Sequence, residues 1–535
     1  MSNSSTINSK KRVYVRKNPV KASVPASTHK DSINKSLYDL NSQNKKNEKN
    51  NDQNNKLIND LIEDVIDKFE EDDYIFQQEK GHAILFNTYN KDNIYLSSIN
   101  GHGYYFNQIY NIWQKKENNF FIAIVSDFLE THIQDYITKI KDDKTKTNKF
   151  GEVVKILTRV RTFKHAENVW KMAKCRLVDK NFQIKMNKAP NLLPLKNGKI
   201  IDLKTLEVKL RKKTEYFDFE LPFEFIKDSK LTYATKFFNE IMNNDNEIVN
   251  YLQIILGYCL SGETTMRSLF IFWGNGANGK STLCDLLTNI MDKFYMSADK
   301  KIFIKQESSS SHTSYLMPLL NARLAVLSET SEGEKLNERL LKALTGNDSI
   351  SGRELYGTQI SFKPYAKYIM LTNYKPIFDV NSKAMTDRIC YIPFKASFSY
   401  NPKNGEFLRD DIFVEKLKTE YLNEVFIWLC IGANNNYKAN GNIKIPKLLM
   451  DAKNDYINEI DNVAKFIEDK CTKKENTKTK RNELYDHYQS YCTDNGYTSV
   501  KNCDFYKRLD ILEFKQVIIK GIRYIKDIEI VVVQL

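Results

Sequence analysis

The feature that most constrains this chain is a glycine-rich loop between an apolar strand and a helix. Leu269–Trp273 is an apolar run, Gly274–Thr282 reads GNGANGKST, and apolar residues then recur at helical spacing as far as Ile290. The loop matches G-x-x-x-x-G-K-[ST], a pattern in which backbone N–H groups close around phosphate oxygens. The helix start adds the positive end of its dipole. The pattern predicts a phosphate-binding loop (P-loop) in an α/β fold.

The loop residues have distinct expected roles at a bound nucleotide. Lys280 should reach the β- and γ-phosphates, and the Ser281 hydroxyl should ligate Mg²⁺. The ligand expected here is ATP or another nucleoside triphosphate, together with Mg²⁺, and the alternative is a plain glycine turn. The residues predicted to contact it are Gly274, Asn275, Gly276, Ala277, Asn278, Gly279, Lys280, Ser281 and Thr282.

A P-loop also needs an acidic group on a neighbouring strand. Leu324–Leu327 is apolar and predicts a buried strand, and Ser328-Glu329 follows at its end. Strand ends meet bound nucleotide in open parallel sheets. A carboxylate at Glu329 can polarise the attacking water or hold Mg²⁺. Glu332 and Glu334 follow closely, and the sequence does not divide the metal role among the three.

Two further positions fit nucleotide hydrolysis by their order in the chain. The predicted strand Tyr368–Leu371 ends in Thr372-Asn373, and Asn373 is placed to orient the attacking water. Arg388 precedes the next apolar run, Ile389–Phe394, and an arginine there can stabilise transition-state charge across a subunit boundary. Each residue taken alone is a weak indication.

The charge balance favours a polyanionic partner. Lys and Arg total 81 against 67 Asp and Glu, giving a net charge of +14, of which +8 lies in residues 1–56. Such a surplus is typical of nucleic-acid-binding proteins. The tail is rich in Ser, Asn and Lys with few large apolar residues, so we expect residues 1–56 to form a disordered basic tail.

The cysteines and the hydropathy pattern indicate a protein of a reducing, intracellular compartment. The eight cysteines form no C-x-x-C pair, and no histidines accompany them at zinc spacing. The longest apolar runs, such as Tyr251–Leu260, are about half of a membrane span. We therefore expect no membrane insertion, no disulfide scaffold and no signal peptide.

The remaining chain divides by pattern into four regions. Residues 57–230 form a mixed, helix-rich region, with short strands and turns over 80–111, helices over 119–140 and 151–179, and a hairpin turn at Asn197-Gly198. The NTPase core is expected over 231–400 and a helical connector over 401–459. Residues 460–535 predict three helices and then a hairpin around Lys520-Gly521, the outline of a winged helix. Its basic residues include Lys520 and Arg523.

The order of motifs resembles the superfamily 3 helicases, and more narrowly the poxvirus-type and phage/plasmid-type primase-helicase NTPases. The segments that carry this resemblance are GNGANGKST, RLAVLSE, KALTGNDSISGRELY, FKPYAKYIMLTN and DRICYIPF. It extends weakly over residues 80–480 and best over 230–400. It implies an AAA+-like core, assembly into rings that are usually hexamers, and NTP-driven movement along single-stranded DNA.

The resemblance also implies roles for single residues. Lys280 and Ser281 match the nucleotide and Mg²⁺ ligands, Glu329 the Walker B acid, and Asn373 the sensor. Arg388 matches the arginine finger that reaches a neighbour's site. The stretch Lys342–Phe362 matches the segment with the DNA-gripping hairpin, where Arg353 and Lys363 are placed to meet phosphate; an ion pair within the protein is the alternative for Arg353.

Two departures from the family pattern stand out. The Walker B segment ends in Ser328-Glu329 rather than in two acids, and a single arginine, Arg388, stands where the family often has two. We interpret the first as a feature of the poxvirus-type branch, and a finger from elsewhere in the chain stays open. No carboxylate cluster of a primase is evident, so we expect no primase activity in this chain, and a separate primase is a possible partner.

These observations predict an ATP-dependent, ring-forming DNA helicase of viral, phage or plasmid replication. Its partners would be single-stranded and forked duplex DNA, other copies in a homo-hexamer, and a primase. The place of action would be the host cytoplasm or a viral replication site. The alternatives are an NTP-dependent initiator or loader without processive unwinding, and, less well supported, a P-loop kinase.

Overall fold

A computed structural model of the chain describes residues 78–99, 102–141, 150–179, 181–306, 313–353 and 359–531. The chain divides into two units, Met1–His82 and Ala83–Leu535. The predicted basic tail and the helical pattern from Leu57 lie outside the described residues.

The described α-helices are α1 Glu79–Asn90, α2 Asn118–Lys141, α3 Phe150–Val160, α4 Phe163–Ala173, α5 Phe182–Lys185, α6 Thr232–Ile241, α7 Asn246–Leu260, α8 Lys280–Met291, α9 Lys300–Phe303, α10 Glu338–Thr345, α11 Lys383–Thr386, α12 Asp411–Lys418, α13 Leu422–Lys438, α14 Lys447–Ile460, α15 Asn462–Lys470, α16 Arg481–Asp494 and α17 Asn502–Ile511. The strands are β1 Ile94–Leu96, β2 Gly103–Asn107, β3 Ile112–Lys116, β4 Leu192–Leu195, β5 Lys199–Asp202, β6 Glu207–Leu210, β7 Leu269–Trp273, β8 Tyr295–Ser297, β9 Leu324–Leu327, β10 Ile350–Arg353, β11 Gln359–Phe362, β12 Lys367–Thr372, β13 Ile389–Pro393, β14 Phe398–Ser399, β15 Phe407–Leu408, β16 Cys471–Lys480, β17 Gln516–Ile519 and β18 Ile522–Ile530.

The N-terminal part of the second unit is a helical layer beside a small antiparallel sheet, in the order β1-β2-β3. The expectation of strands and turns over the whole of 80–111 was wrong for its first part, which is α1. Ala83 and Phe86 lie one helical turn apart and are both buried in the core formed with α2, α3 and α4. The strands begin only at Ile94. The helices predicted over 119–140 and 151–179 are present, the second interrupted at residues 161–162.

The next segment is the antiparallel meander β4-β5-β6, and the predicted hairpin turn is confirmed. Asn197 and Gly198 both have positive φ, 62° and 67°, and lie in the three-residue loop between the paired residues Leu195 and Lys199. The buried side chains of β4 and β5 join the same core as α6, α7 and α13. Strands β4 and β5 are therefore packed against the central core, whereas β6 is exposed.

That centre is a parallel sheet with the strand order β13-β7-β12-β9-β8. All four neighbouring pairs are parallel. The strands are apolar along their length because helices cover both faces of the sheet. One face packs against α6, α7, α8 and α13, and the other against α9, α10 and α14. The fold is thus mixed α/β with a parallel-sheet core, as predicted.

Helices α7 and α13 cross at a pair of glycines. A Cβ placed on Gly432 would lie 2.0 Å from the carbonyl oxygen of Gln253, and one on Gly257 would lie 2.1 Å from the amide nitrogen of Ala433. Only the absence of a side chain at both positions lets the two backbones approach this closely. The close crossing fixes α13 against the helix that supports the sheet.

Two buried cations, Arg323 and Lys367, and the half-buried Lys188 lie at the amino-terminal edge of the parallel sheet. The Arg323 guanidinium donates to the carbonyl oxygens of Leu260 (3.2 Å), Ala189 (2.7 Å) and Leu192 (3.0 Å). Lys367 donates to the carbonyl oxygens of Ser261 and Tyr365, and burial lowers the pKa of Lys367 to about 7. Burial likewise lowers the pKa of Lys188 to about 8.

The C-terminal region contains the three predicted helices, α15 to α17, and the predicted hairpin β17–β18. It also contains a strand that the sequence did not indicate, β16, which pairs with β18 to give the order β16-β18-β17. Seven of the ten β16 residues are exposed, so this edge strand has almost no apolar pattern. Arg508 of α17 forms a buried ion pair with Asp461 at 2.7 Å, which ties α17 to the start of α15. Among the described residues, no helix has the length and apolarity that a membrane crossing needs.

Replacing Gly432 with Ala should lower the free energy of unfolding by about 2–3 kcal/mol, because the new methyl group overlaps the backbone of α7. The matched control is Gly151→Ala in α3, where a Cβ would meet nothing within 4 Å. That control should be neutral or stabilising by less than about 1 kcal/mol, since alanine has the higher helix propensity. Chemical denaturation followed by circular dichroism measures both values. Equal effects would contradict the close crossing.

Candidate nucleotide-binding site

The loop between β7 and α8 opens onto a cavity of about 1000 Å³ at the carboxyl edge of the parallel sheet. Of the nine predicted loop residues, Gly276 through Thr282 line this cavity. Gly274 lies behind it, where a Cβ would come within 2.2 Å of the Asn278 amide, and Asn275 is exposed. Ala277 adopts a positive φ of 47°, and its carbonyl oxygen accepts from the Phe398 backbone N–H at 2.9 Å. The carbonyl oxygen of Ala277 thus ties the loop to the start of β14.

Lys280 is buried and surrounded by neutral acceptors. Its Nζ donates to the Gly274 carbonyl oxygen at 2.7 Å, to Asn278 Oδ1 at 3.1 Å and to Asn373 Oδ1 at 3.3 Å. Burial lowers the pKa of Lys280 to about 8. A buried cation with no carboxylate among these partners keeps its charge available for an incoming anion.

Asn278 positions this lysine. It is 3% exposed, its Nδ2 donates to the Phe394 carbonyl oxygen at 3.3 Å, and its Oδ1 accepts from Lys280. The amide thereby connects the loop to the end of β13. The sequence pattern predicted Asn278 as a loop residue but did not indicate this bridging role.

The other predicted site residues enter from the ends of two neighbouring strands. Because β12 lies between β7 and β9, Asn373 stands between the loop and Glu329. Asn373 and Glu329 both line the cavity. A hydroxyl pair, Thr330 Oγ1 and Thr372 Oγ1 at 2.5 Å, ties the two strand ends together. The structure thus brings Lys280, Glu329 and Asn373 to one cavity.

Glu332 and Glu334 do not line the cavity. Glu334 pairs with Lys300 and accepts from the Ser331 backbone N–H at 3.1 Å. Glu329 is therefore the acid of this segment that faces the cavity.

A magnesium ion would have few protein ligands here. The described residues contain no cluster of three or more His, Cys, Asp or Glu side chains that would hold a metal by itself. Ser281 and Glu329 both face the cavity. Mg²⁺ commonly binds through one or two such groups together with substrate phosphates and water. The donor set therefore fits a metal that arrives with a nucleotide.

Arg388 does not reach this cavity. It directly precedes β13 at the amino-terminal edge of the sheet, where its carbonyl oxygen accepts from the Leu269 N–H at 2.8 Å. Its side chain donates to Thr345 Oγ1 at 2.9 Å and to the Ala384 carbonyl oxygen at 2.6 Å. The cavity lies at the opposite edge of the same sheet.

The predicted DNA-binding residues lie outside the cavity. Arg353 ends β10, which pairs with β11 as the antiparallel hairpin expected in this segment, and Lys363 is exposed just after β11. Residues 354–358 at the hairpin tip are outside the described ranges. Lys520 and Arg523 are exposed on the C-terminal hairpin.

The far wall of the cavity was not predicted. It combines aromatic and aliphatic side chains with charged ones, drawn from α6 and from the segment between β14 and α12. Lys236 Nζ lies 4.5 Å from the ring centre of Phe413 and 3.9 Å from Glu240, whose pKa is raised by burial. The wall residues include Lys236, Phe237, Glu240, Phe398, Leu408, Asp410, Phe413 and Val414. They precede the loop by some 40 residues or follow it by more than 100, so no local motif marks them.

Comparison with known families gives two matches. Residues 272–388 match a family described as a family of unknown function (DUF5906). Residues 458–527 match the family described as Poxvirus D5 protein-like. The second match covers nearly all of the described C-terminal helices and hairpin.

Similar curated proteins come from large DNA viruses. A putative helicase of Acanthamoeba polyphaga mimivirus is 30% identical over 259 residues, 46% of this chain and 26% of that protein. Primase D5 of Fowlpox virus is 27% identical over 195 residues, 34% of this chain and 24% of that protein. A putative helicase of Invertebrate iridescent virus 3 is 24% identical over 354 residues, 61% of this chain and 37% of that protein.

The chain thus spans between 24% and 37% of the length of these three relatives. Among solved structures, the apo C-terminal region of NrS-1 is 14% identical, with 58% of this chain and 80% of that chain covered, at a TM-score of 0.34. That likeness is too weak to identify a fold. The sequence matches confirm the resemblance to the poxvirus-type primase-helicase family.

Nucleotide affinity should fall as the pH rises through about 8, because Lys280 must be protonated to bind phosphate and its pKa lies near 8. The expected loss approaches about tenfold per pH unit above that value. Fluorescence titration with a non-hydrolysable ATP analogue measures it. Lys418→Gln is the control, since Lys418 also lines the cavity but pairs with Asp285 at 2.5 Å, and this variant should keep the pH dependence. An affinity that stays constant from about pH 7 to pH 9.5 would contradict this role for Lys280.

Proposed function

We propose that this chain, which resembles the poxvirus-type primase-helicase family, is the NTP-hydrolysing motor of a superfamily 3 DNA helicase in genome replication. The observation that carries the proposal is the contact of the buried Lys280 with Asn373 in a cavity that Glu329 also lines. A phosphate-binding lysine, a polar strand-end amide and an acid in one cavity are the parts that triphosphate hydrolysis needs.

Each residue then has a role at the triphosphate. The backbone of the loop and the start of α8 bind the phosphates, and Lys280 leaves its neutral acceptors for the β- and γ-oxygens. Ser281 and Glu329 would hold the Mg²⁺ that accompanies the nucleotide, and the ion would supply charge neutralisation at the phosphates. Glu329 also takes up the proton of the attacking water, and Asn373 orients that water against the γ-phosphate.

The far wall suits the nucleobase. The rings of Phe398 and Phe413 and the side chain of Leu408 offer an apolar surface on which a base can lie. Lys236 offers a hydrogen-bond donor for the base edge, and Glu240 offers an acceptor. Stacking on an aromatic ring stabilises any base, whereas hydrogen bonds to Lys236 and Glu240 would set the preference for one base over another. ATP is the nucleotide that we propose.

The position of Arg388 supports the proposal of a ring of subunits. This arginine lies at the sheet edge opposite its own cavity, so it can act on a nucleotide only in another subunit. Closed rings are formed by such head-to-tail contacts. We propose an AAA+-like core over 231–400 that assembles as a homo-hexamer, with Arg388 as the finger.

Movement on DNA would use the two hairpins. The β10–β11 hairpin carries Arg353 and is followed by Lys363, and we propose that it grips single-stranded DNA inside the ring. Residues 460–535 would form a winged-helix-like domain that contacts DNA through Lys520 and Arg523. The wider proposal places this activity at a viral replication site or in the host cytoplasm, beside a separate primase, with forked duplex DNA as the substrate.

Hydrolysis should depend on Lys280 and Glu329. Lys280→Ala should abolish nucleotide binding, whereas Glu329→Gln should bind nucleotide and lose about 10²–10⁴-fold in turnover, because it removes a general base. Glu332→Gln is the matched control and should hydrolyse like wild type. Phosphate release with and without single-stranded DNA measures these rates. Unchanged turnover in Lys280→Ala would refute the site, and hydrolysis indifferent to DNA would favour an initiator or loader.

Arg388 can be tested by mixing two inactive variants. Arg388→Ala and Lys280→Ala should each lose hydrolysis, the first by about 10³-fold or more. A mixed ring contains sites with an intact Lys280 next to an intact Arg388, so the mixture should recover about a quarter of wild-type activity. Thr345→Val, which removes only the hydroxyl that Arg388 contacts, controls for a structural role and should stay active. No recovery on mixing would contradict action between subunits.

A further inference from the structure

The tip of the C-terminal hairpin, residues 518–523, is exposed and apolar. Ile518 is 68% exposed, Ile522 47% and Ile519 36%, and all six residues of the tip are exposed. Exposure of an isoleucine side chain to water is energetically unfavourable, and three such side chains within six residues form a small apolar surface. Such a feature indicates a binding role.

The tip is also rigid. Ile519 pairs with Ile522 and Ile518 with Arg523 across the two strands. The turn is closed by Lys520 and Gly521, whose φ angles of 48° and 79° match a tight two-residue turn. Further down the hairpin, Ile525 and Ile528 are fully buried in the core of this region. The hairpin is thus anchored at its base and projects an ordered tip.

Side chains on the tip point to both faces of the hairpin. Ile519 and Ile522 stand opposite each other and share one face, while Ile518 and Arg523 share the other. Apolar groups therefore cover both sides of a thin two-stranded blade. This shape fits a narrow gap between flat surfaces better than it fits a groove or a helix.

The charge around the tip indicates what those flat surfaces are. Residues 515–526 contain four cations, Lys515, Lys520, Arg523 and Lys526, and no acid. The next acid, Asp527, accepts from the Asn476 N–H at 2.9 Å. A protein partner with an apolar surface of matching area would need acidic side chains around that surface to pair with these cations. DNA has phosphates on either side of its stacked bases in every sequence.

We propose that this tip is a wedge at the junction of a DNA fork. Ile518, Ile519 and Ile522 pack against the terminal base pair and unstack it, and Lys520 and Arg523 hold the phosphates on either side. Apolar side chains that insert between base steps are a known way to separate stacked bases. The inference rests on the proposed function, because it assigns the fork to the C-terminal hairpin and translocation to the NTPase core.

The test uses a forked duplex with 2-aminopurine in its terminal base pair, and no nucleotide. Wild type should raise the fluorescence on binding, because the base becomes unstacked. The variant Ile518→Ala/Ile519→Ala/Ile522→Ala should lose this rise and bind the fork about tenfold less tightly, with affinity for single-stranded DNA unchanged. Ile226→Ala is the matched control, since Ile226 is 57% exposed in the loop before α6, and it should behave like wild type.

A second variant separates the wedge from its phosphate contacts. Lys520→Ala/Arg523→Ala should reduce the slope of log affinity against log salt by about 2, while each bound molecule still raises the fluorescence. A full fluorescence rise with the triple isoleucine variant would overturn the wedge. The wedge would also be overturned if sedimentation showed that this variant no longer forms the oligomer while the fluorescence rise stays intact. That result would assign the tip to a protein contact. DNA-stimulated hydrolysis is measured in parallel, so failure of the motor and failure of the wedge give different results.

Discussion

The alignment of parallel strands at one sheet edge is the constraint on which the site depends. Trp273 pairs with Thr372 and with Pro393, and Leu327 pairs with Met370, so these strands end close together. Strands β7, β12 and β9 are followed at this edge by the glycine loop, Asn373 and Glu329, respectively. The hydrogen bonds of the sheet, rather than contacts among the polar groups themselves, determine these positions. Strain in the loop, such as the positive φ of Ala277, is tolerated because the sheet beneath it is rigid.

The hydrogen bonds of Lys280 bear on the free energy of phosphate binding at the site. Three oxygen atoms hold the ammonium group in place, yet none carries a full charge. The lysine is thus oriented but not neutralised, so little is lost when it turns to a phosphate. Asn373 belongs to this resting set, and an arriving triphosphate would release its side chain. In the proposed mechanism, nucleotide binding and the positioning of water by Asn373 would thus be linked through one hydrogen bond.

Sequence patterns predicted the parts of the site that lie next to a strong local signal. The loop, Glu329, Asn373 and the four long apolar strands were all indicated by a strand followed by a polar residue. The far wall was missed because Glu240 and Phe413 are brought together only by packing of α6 and α12. Strand β16 was missed because its exposed residues carry no alternation. Helix α1 was mistaken for strands because its glycine and polar residues concealed two buried apolar positions one turn apart. Arg508 adds to the basic count of this region but is paired with Asp461, a contact that the local sequence does not indicate.

The carbonyl oxygens around Arg323 have a consequence for the evolution of the chain. This arginine, directly before strand β9, has two of its acceptors at Ala189 and Leu192, which precede residue 231 by 42 and 39 positions in the sequence. A recombination event that transferred residues 231–400 alone would leave a buried guanidinium with most of its acceptors gone. The segment that leads into β4 therefore belongs structurally with the parallel sheet. If related genomes exchange this region, we expect the recombination joints to lie before residue 188 or after the helices that cover the sheet.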